Sequence, residues 1–205
     1  MICKDLNLGW STLGHDCMVG CVMQAVPGCD AAGVVVEVGD GVSKFKIGDE
    51  VYSDIQSFTA GRPKQLGILA QYTVVEEHLV APKPTTLSFE EAASLPLALL
   101  TAQQAFDIAK FEKGQSVFIV GGAGGVGSLA IQLAKHVYGA SRIVSTASTG
   151  KLDFVKSLGA DLVIDYTKQS YDQVTEKFDF VFDTIGRSLT SFSLPADLSG
   201  KCNVI

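Results

Sequence analysis

A glycine-rich turn between an apolar run and an amphipathic pattern constrains this chain more than any other feature. The segment Val117–Gly127 reads VFIVGGAGGVG and leads directly into SLAIQLAKHV, which has helical periodicity. Glycines allow a tight turn and let a ligand approach the backbone, and the amides at the start of the following helix can hold an anion. Because a strand precedes and a helix follows Gly122-x-Gly124-x-x-Gly127, the sequence predicts a dinucleotide-binding turn. A purely structural strand-to-helix turn is the alternative.

Composition excludes several classes of function. The 205 residues carry a formal net charge of -6, which disfavours nucleic acid and anionic membrane surfaces as partners. No apolar run reaches the roughly 20 residues of a membrane span. Charged residues near the start, including Lys4 and Asp5, interrupt any signal peptide. We expect a soluble cytoplasmic protein, with the plastid as the alternative if a transit peptide is missing from this chain.

The cysteines do not predict a metal site. There are five, an odd number, at positions 3, 17, 21, 29 and 202. His15, Cys17, Cys21 and Cys29 could be imagined as zinc ligands, but the paired C-x2-C spacing of structural zinc sites is absent. We therefore expect reduced thiols and no metal.

The chain reads as two parts with a boundary near residue 85. Residues 1–27 show no clear period and form a divergent N-terminal segment, whereas 28–85 contain short strand patterns and turns. From residue 86 to 205 strands and helices alternate, which predicts a parallel sheet with right-handed crossovers. A capping box, Ser88 with Glu91, opens the first helix. A further polar helix is expected at 171–177.

The second strand of this α/β part indicates which nucleotide is bound. An NAD site has an acidic residue about 20 residues after the glycine turn, but here the strand ends TASTGK without a carboxylate. Ser148, Thr149, Gly150 and Lys151 instead offer hydroxyls, amides and a cation, which suit the 2′-phosphate of NADP. The alternative is a helix cap at Ser148 or Thr149 beside a solvated lysine. Tyr166, which closes the third strand, lies near the cofactor in this interpretation or serves packing alone.

The quoted motifs resemble a known family. PGCDAAGVVVEVGDGVSKFKIGDEVY is similar to the GroES-like domain of medium-chain dehydrogenases/reductases, and GGAGGVGSLAIQLAKH, the STGK run and LGADLVIDY are similar to its quinone oxidoreductase branch. The closest likeness is to plant enone oxidoreductases and alkenal/one oxidoreductases, which are zinc-free. The resemblance implies a doubly wound Rossmann domain after the β domain. It also implies NADPH as cofactor and reduction of the C=C bond of α,β-unsaturated carbonyls, or of quinones.

The resemblance also suggests roles for individual residues. Gly125 and Val126 would contact the pyrophosphate, the run from Ser148 to Lys151 would hold the 2′-phosphate, and Tyr166 would lie on the adenosine side. No residue is identified as a proton donor or other catalytic group. Family members are often dimers, so a homodimer is one expected assembly.

The likeness covers about residues 26–187. Met1–Gln24 and the segment after Arg187 do not match, so we expect an incomplete GroES-like domain and a C-terminally truncated Rossmann domain. Two rival functions stay open. One is an inactive remnant that binds NADPH or serves as an interaction module, and the other is an enoyl-thioester reductase of the same architecture.

Overall fold

The computed structural model describes the backbone of residues 2–8, 28–55, 58–59, 62–63, 67–170, 176–186 and 203–204, and the side chains of 28–55, 67–170 and 176–186. The chain divides into two compact units, Met1–Ala98 and Leu99–Ile205. Each unit is described by itself.

The first unit is built on an antiparallel sheet. Its strands run in the order β6-β1-β2-β3-β7, with a separate two-stranded ribbon of β4 and β5. The strand bounds are β1 Ile2–Leu8, β2 Asp30–Glu37, β3 Glu50–Asp54, β4 Phe58–Thr59, β5 Arg62–Pro63, β6 Tyr72–Val74 and β7 Val80–Pro82. The β-rich, turn-rich character predicted for 28–85 is confirmed.

Both faces of the central strand β2 are covered. Val35, with no exposed surface, packs in a cluster with Val51 and Ile68. Ala32, on the other face, packs against the helix α1, Phe89–Ala93. The predicted capping box of this helix is present, since Ser88 and Glu91 each accept a hydrogen bond from the other's backbone amide at 3.2 and 2.9 Å.

The second unit is a parallel sheet with flanking helices. The strand order is β10-β9-β8-β11-β12, and each described pairing is parallel. The bounds are β8 Ser116–Val120, α3 Gly125–His136, β9 Arg142–Ala147, α4 Leu152–Ser157, β10 Leu162–Asp165, β11 Phe180–Asp183 and β12 Asn203–Val204. The helix α2, Pro96–Ala109, begins in the first unit and continues into the second. This is the predicted doubly wound α/β architecture. The polar helix predicted at 171–177 falls largely outside the described residues.

The unbroken apolar strands of this sheet are explained by burial on both faces. Val117 and Ile119 face one buried cluster, whereas Phe118 and Val120 face another. Successive strand residues point to opposite faces, so a strand covered on both sides needs apolar residues at every position.

A buried carboxylate marks the start of α2. Asp30 is only 3% exposed, and its Oδ1 accepts a hydrogen bond from the Leu97 amide at 2.8 Å. Burial raises the pKa of Asp30 to about 7, against the lowering effect of that hydrogen bond, and the nearby charge of Asp54 raises it further. The carboxyl group is therefore kept neutral in the folded chain at pH values where it ionises in the unfolded chain.

The raised pKa predicts a pH-dependent stability. Between about pH 4 and pH 7 the folded chain holds a proton on Asp30 that the unfolded chain has lost, so this group's contribution to stability falls as the pH rises. Asp30→Asn keeps an acceptor for Leu97 without the charge. It should leave the free energy of unfolding little changed at about pH 4.5 and raise it by a few kcal/mol at about pH 8, each unit of pKa shift being worth about 1.4 kcal/mol.

Urea denaturation of both proteins across this range measures the effect. Asp40→Asn, the same substitution in an exposed turn, is the matched control. An equal effect of Asp30→Asn at both ends of the pH range would contradict the raised pKa.

Candidate cofactor site

The predicted site residues lie at one edge of the parallel sheet. Because β8, β9, β10 and β11 run parallel, their carboxyl ends meet at the same edge. The glycine turn follows β8, the Ser148–Lys151 segment follows β9, and Tyr166 follows β10. The structure thus brings together the segments that the sequence predicted to share a site.

Two glycines of the turn are required by close packing. A Cβ atom at Gly122 would lie 2.1 Å from the Ser145 hydroxyl oxygen, and one at Gly127 would lie 2.2 Å from the Gly121 carbonyl oxygen. Gly124 differs, because its nearest neighbour would be 3.4 Å away, an ordinary contact. Gly122 and Gly127 therefore serve the fold of the turn, whereas a methyl group at Gly124 would make only an ordinary contact with the described residues.

Thr146, on the neighbouring strand β9, anchors the glycine turn through two hydrogen bonds. The Gly121 amide donates to the Thr146 hydroxyl at 2.9 Å, and the Gly122 amide donates to the Thr146 carbonyl at 3.0 Å. Thr146 itself is buried, with 1% exposure. These bonds fix the first two residues of the turn and so the position at which α3 starts.

The start of α3 presents unpaired donors. Gly124 is the N-cap residue and has no side-chain oxygen that could accept from the first amides of α3. The Ser128 amide donates to the Gly124 carbonyl at 2.9 Å, which is the first backbone hydrogen bond of the helix. Among the described residues no acceptor is present for the amides of Gly125 and Val126. Free first-turn amides and the positive end of a helix suit an anion.

The segment after β9 forms a tight turn. Ser148 is followed by a single 3-10 turn over Thr149–Lys151, and the Lys151 amide donates to the Ser148 carbonyl at 2.9 Å. The Lys151 ammonium lies 6.0 Å from the centre of the Phe154 ring, and Lys151 and Gly150 are exposed. A Cβ atom at Gly150 would meet nothing within 4 Å, so this turn is open to a ligand.

A carboxylate that the sequence analysis missed lies beside this turn. The Asp165 Oδ2 atom accepts a hydrogen bond from the Thr149 hydroxyl at 2.5 Å, and Oδ1 accepts one from the Thr167 hydroxyl at 2.6 Å. These bonds hold the pKa of Asp165 below its usual range, the bond from Thr149 contributing most. Its position in the chain is the signal that could have predicted this contact: Asp165 is the last residue of the parallel strand β10, which pairs with Ala147 at the end of β9.

Tyr166 extends from the same strand end. Its amide donates to the Ala147 carbonyl at 3.1 Å, which continues the ladder between β10 and β9, and the residue is 53% exposed. An exposed aromatic side chain beside Lys151's turn is compatible with the predicted position near an adenosine.

The turn after β11 closes the other side of the glycine turn. Thr184 donates its hydroxyl to the Val120 carbonyl at 2.7 Å, and a Cβ atom at Gly121 would lie 2.6 Å from that hydroxyl oxygen. Asp183 is fully buried, and its Oδ1 accepts from the Ile185 amide at 2.9 Å. Sequence patterns gave no reason to select either residue.

Most of the zinc ligands that the sequence could suggest lie outside the described part of the chain. No group of three or more His, Cys, Asp or Glu side chains able to hold a metal ion occurs within the described residues. His15, Cys17 and Cys21 lie outside the described residues. His78 pairs with Glu76 at 3.3 Å on the surface. No helix among the described residues has the length and apolar character to cross a membrane.

Two protein families match the two parts of the chain. The alcohol dehydrogenase GroES-like domain matches residues 8–85, and the zinc-binding dehydrogenase domain matches residues 125–195. These matches extend beyond the resemblance over residues 26–187, to residue 8 at the N-terminal side and to residue 195 at the C-terminal side.

Curated relatives and a solved structure agree with these matches. The chain is 58% identical over 165 residues to 2-methylene-furan-3-one reductase of Solanum lycopersicum, and 54% identical over 164 residues to the chloroplastic NADPH-dependent alkenal/one oxidoreductase of Arabidopsis thaliana. Each alignment covers 80% of this chain but 42% of the relative, so the chain spans less than half the length of these relatives.

The quinone oxidoreductase of Coxiella burnetii superimposes with a TM-score of 0.77 at 33% identity, over 91% of this chain and 60% of that one. The family predicted from the sequence motifs is confirmed. The chain belongs to the medium-chain dehydrogenase/reductase family, on the branch of the enone and quinone oxidoreductases.

Proposed function

We propose that this chain binds NADPH and reduces the C=C bond of an α,β-unsaturated carbonyl compound or a quinone. The observation that carries the proposal is the glycine turn, whose unpaired helix amides lie at the same sheet edge as Lys151. An anionic dinucleotide is the ligand class that fits both features.

The pyrophosphate is assigned to the start of α3. The amides of Gly125 and Val126 are the free donors there, and Gly124 lets the ligand approach because no side chain intervenes. The close packing of Gly122 and Gly127 leaves no room for a side chain at either position and so constrains the turn that precedes these amides.

The 2′-phosphate is assigned to the turn after β9. The proposed donors are the Ser148 hydroxyl, the amides of Thr149 and Gly150, and the Lys151 ammonium, which belong to one turn, with the exposed Tyr166 at the end of the adjacent strand β10 as a neighbour. A phosphate carries more negative charge than a ribose hydroxyl, so a free ammonium favours NADPH over NADH. The hydroxyl of Thr149 already donates to Asp165 and is not among these donors.

NADPH supplies the hydride when bound, and the protein contributes position. The cradle of α3 and the turn after β9 would fix the phosphates and thereby the rest of the dinucleotide. No described side chain is assigned as the proton donor, and solvent water is the proposed source of the proton at the α-carbon.

The substrate class rests on the relatives. The names of the two plant relatives specify a methylene-furanone and alkenals or enones as their substrates, and the Coxiella protein is named for quinones. All of these present an electron-poor C=C bond conjugated to a carbonyl. An enoyl thioester shares this feature and is the second candidate substrate.

We also propose the domain boundaries, the cellular location and the assembly of this chain. We retain a β domain over 28–85 and a cofactor domain over 86–205, after a divergent segment at 1–27. The cytoplasm is the proposed location, with the plastid as alternative because the name of the Arabidopsis relative places that protein in the chloroplast. A homodimer is the proposed assembly.

A combined binding and turnover assay tests the function. NADPH binding, followed by its fluorescence, and NADPH oxidation with a small enone, a quinone and a crotonyl thioester are measured on the same preparation. Binding with enone or quinone turnover is expected. Binding without any turnover would identify an inactive remnant, turnover of the thioester alone would identify an enoyl reductase, and absence of binding would remove the proposal's basis.

Lys151→Ala should separate the two cofactors. Loss of the ammonium removes an ionic contact to the 2′-phosphate, so the Kd for NADPH should rise about tenfold while the Kd for NADH changes less than about twofold. Lys156→Ala, in the same short helical region and also exposed, is the control. An equal rise in the Kd for both cofactors would mean that Lys151 does not interact with the 2′-phosphate.

Gly127→Ala and Gly124→Ala form a matched pair. The first should lower the free energy of unfolding by about 3 kcal/mol or more, because its methyl group meets backbone that no side-chain motion relieves. The second should leave stability nearly unchanged and weaken NADPH, since the methyl group lies where the ligand approaches. Chemical denaturation and cofactor titration measure both, and a stable Gly127→Ala protein would contradict the packing described for this turn.

A further inference from the structure

The carboxylate of Asp165 changes what the predicted phosphate site can do. Four oxygen atoms meet there: the hydroxyls of Thr149 and Thr167 donate to the two carboxylate oxygens at 2.5 and 2.6 Å, and the two hydroxyl oxygens lie 3.0 Å apart. The side chain of Asp165 is only 11% exposed, so these contacts fill most of its surroundings. The Thr167 amide also donates to Oδ1 at 3.0 Å.

The cluster of Thr149, Asp165 and Thr167 has no side-chain hydrogen left to donate to a ligand. A threonine hydroxyl carries one hydrogen, and an ionised carboxylate only accepts. The lowered pKa of Asp165 keeps it ionised at neutral pH. Both hydroxyl hydrogens are directed to the carboxylate, so the cluster presents lone pairs to a ligand. Such a surface accepts a hydrogen bond from a ribose 2′-hydroxyl and repels a 2′-phosphate.

Two positively charged side chains, Lys168 and Lys151, belong to the same region as the Asp165 carboxylate. The Lys168 ammonium lies 3.7 Å from Asp165 Oδ2 and neutralises part of the carboxylate. Lys151 is two residues after Thr149, and no anionic partner for its ammonium is present in the described part of the chain. The turn after β9 therefore combines a cation that favours the phosphate with an anion that opposes it.

We propose that Asp165 is a cofactor-specificity residue: it withholds the Thr149 hydroxyl from the 2′-phosphate, opposes that phosphate by charge, and preserves binding of NADH. This inference rests on the proposed function, because it assigns how the same site divides its affinity between the two cofactors. Asp165 acts partly through Thr149 and partly through its own charge. Like-charge repulsion near a solvated surface is worth about a fivefold change in affinity and decreases as salt is added.

The test is the ratio of two dissociation constants in Asp165→Asn. Titration calorimetry and cofactor fluorescence give the Kd for NADPH and for NADH in the wild type and the variant at low and at high NaCl concentration. We expect NADPH to bind about fivefold more tightly in the variant at low salt, with a smaller gain at high salt. NADH should bind about twofold more weakly, because threonine hydroxyls that no longer donate to a charged carboxylate are poorer acceptors for the ribose hydroxyl.

Glu112→Gln is the charge-matched control. Glu112 is an exposed carboxylate just before β8, at the amino end of the sheet, so its removal changes net charge equally without touching the site. Its ratio of dissociation constants should equal that of the wild type. If Asp165→Asn fails to fold, as judged by thermal denaturation, Asp165→Ser takes its place with the same expectation, since its hydroxyl can accept from the Thr167 amide.

The outcomes separate this inference from the proposed function. A wild-type chain that binds neither cofactor overturns both. A wild-type chain that binds NADPH, together with a variant whose ratio is unchanged or shifted toward NADH, overturns the role of Asp165 and leaves the function standing.

Discussion

Two hydrogen bonds to a single threonine govern the geometry of the cofactor site. Thr146 receives the amides of Gly121 and Gly122, one on its hydroxyl and one on its carbonyl. Since the strand that carries Thr146 is buried on both faces, the acceptors cannot shift without disturbing the core. The packing of the sheet thereby fixes where α3 begins, and with it the direction of the free amides. The amides proposed to hold the pyrophosphate are thus oriented by core packing.

Carboxylates organise much of what surrounds the two sheets. Asp179 accepts from the Ser116 amide at the start of β8, and Asp161 accepts from the Ile143 amide at the start of β9, at 2.8 and 2.7 Å. Glu77 accepts from the Ser43 amide, 34 residues away in the chain, at 2.7 Å. Each satisfies a backbone donor that a strand end or turn leaves unpaired. The acidic composition thus has a local structural use in addition to solubility.

Local patterns predicted much of the α/β part but neither the cross-chain partners nor β1, Ile2–Leu8, which lies in the segment where the sequence shows no clear period. The glycine turn between an apolar run and a helix and the capping box at Ser88 depend on neighbouring residues, and sequence spacing reveals them. The bond between Thr149 and Asp165 joins residues 16 apart on adjacent strands, and register decides it. The same holds for Asp30, whose acceptor role at Leu97 spans 67 residues. Sequence reasoning therefore described the turn after β9 as free of carboxylates, whereas the sheet brings one to it from the next strand.

Cofactor preference in such a site is a small difference between opposing electrostatic effects. Lys151 and Asp165 have opposite charges, both lie near solvent, and each is screened by salt over about 8–10 Å at physiological ionic strength. A single substitution at either position should then shift the preference without altering the fold, toward NADH at Lys151 and toward NADPH at Asp165, because neither side chain belongs to the buried clusters. By contrast, Gly122, Gly127 and Thr146 are packed into the sheet edge, so changes there affect stability and binding together. In the proposed site the core accordingly fixes the donors for the pyrophosphate, whereas the choice between two dinucleotides depends on charges outside the buried clusters.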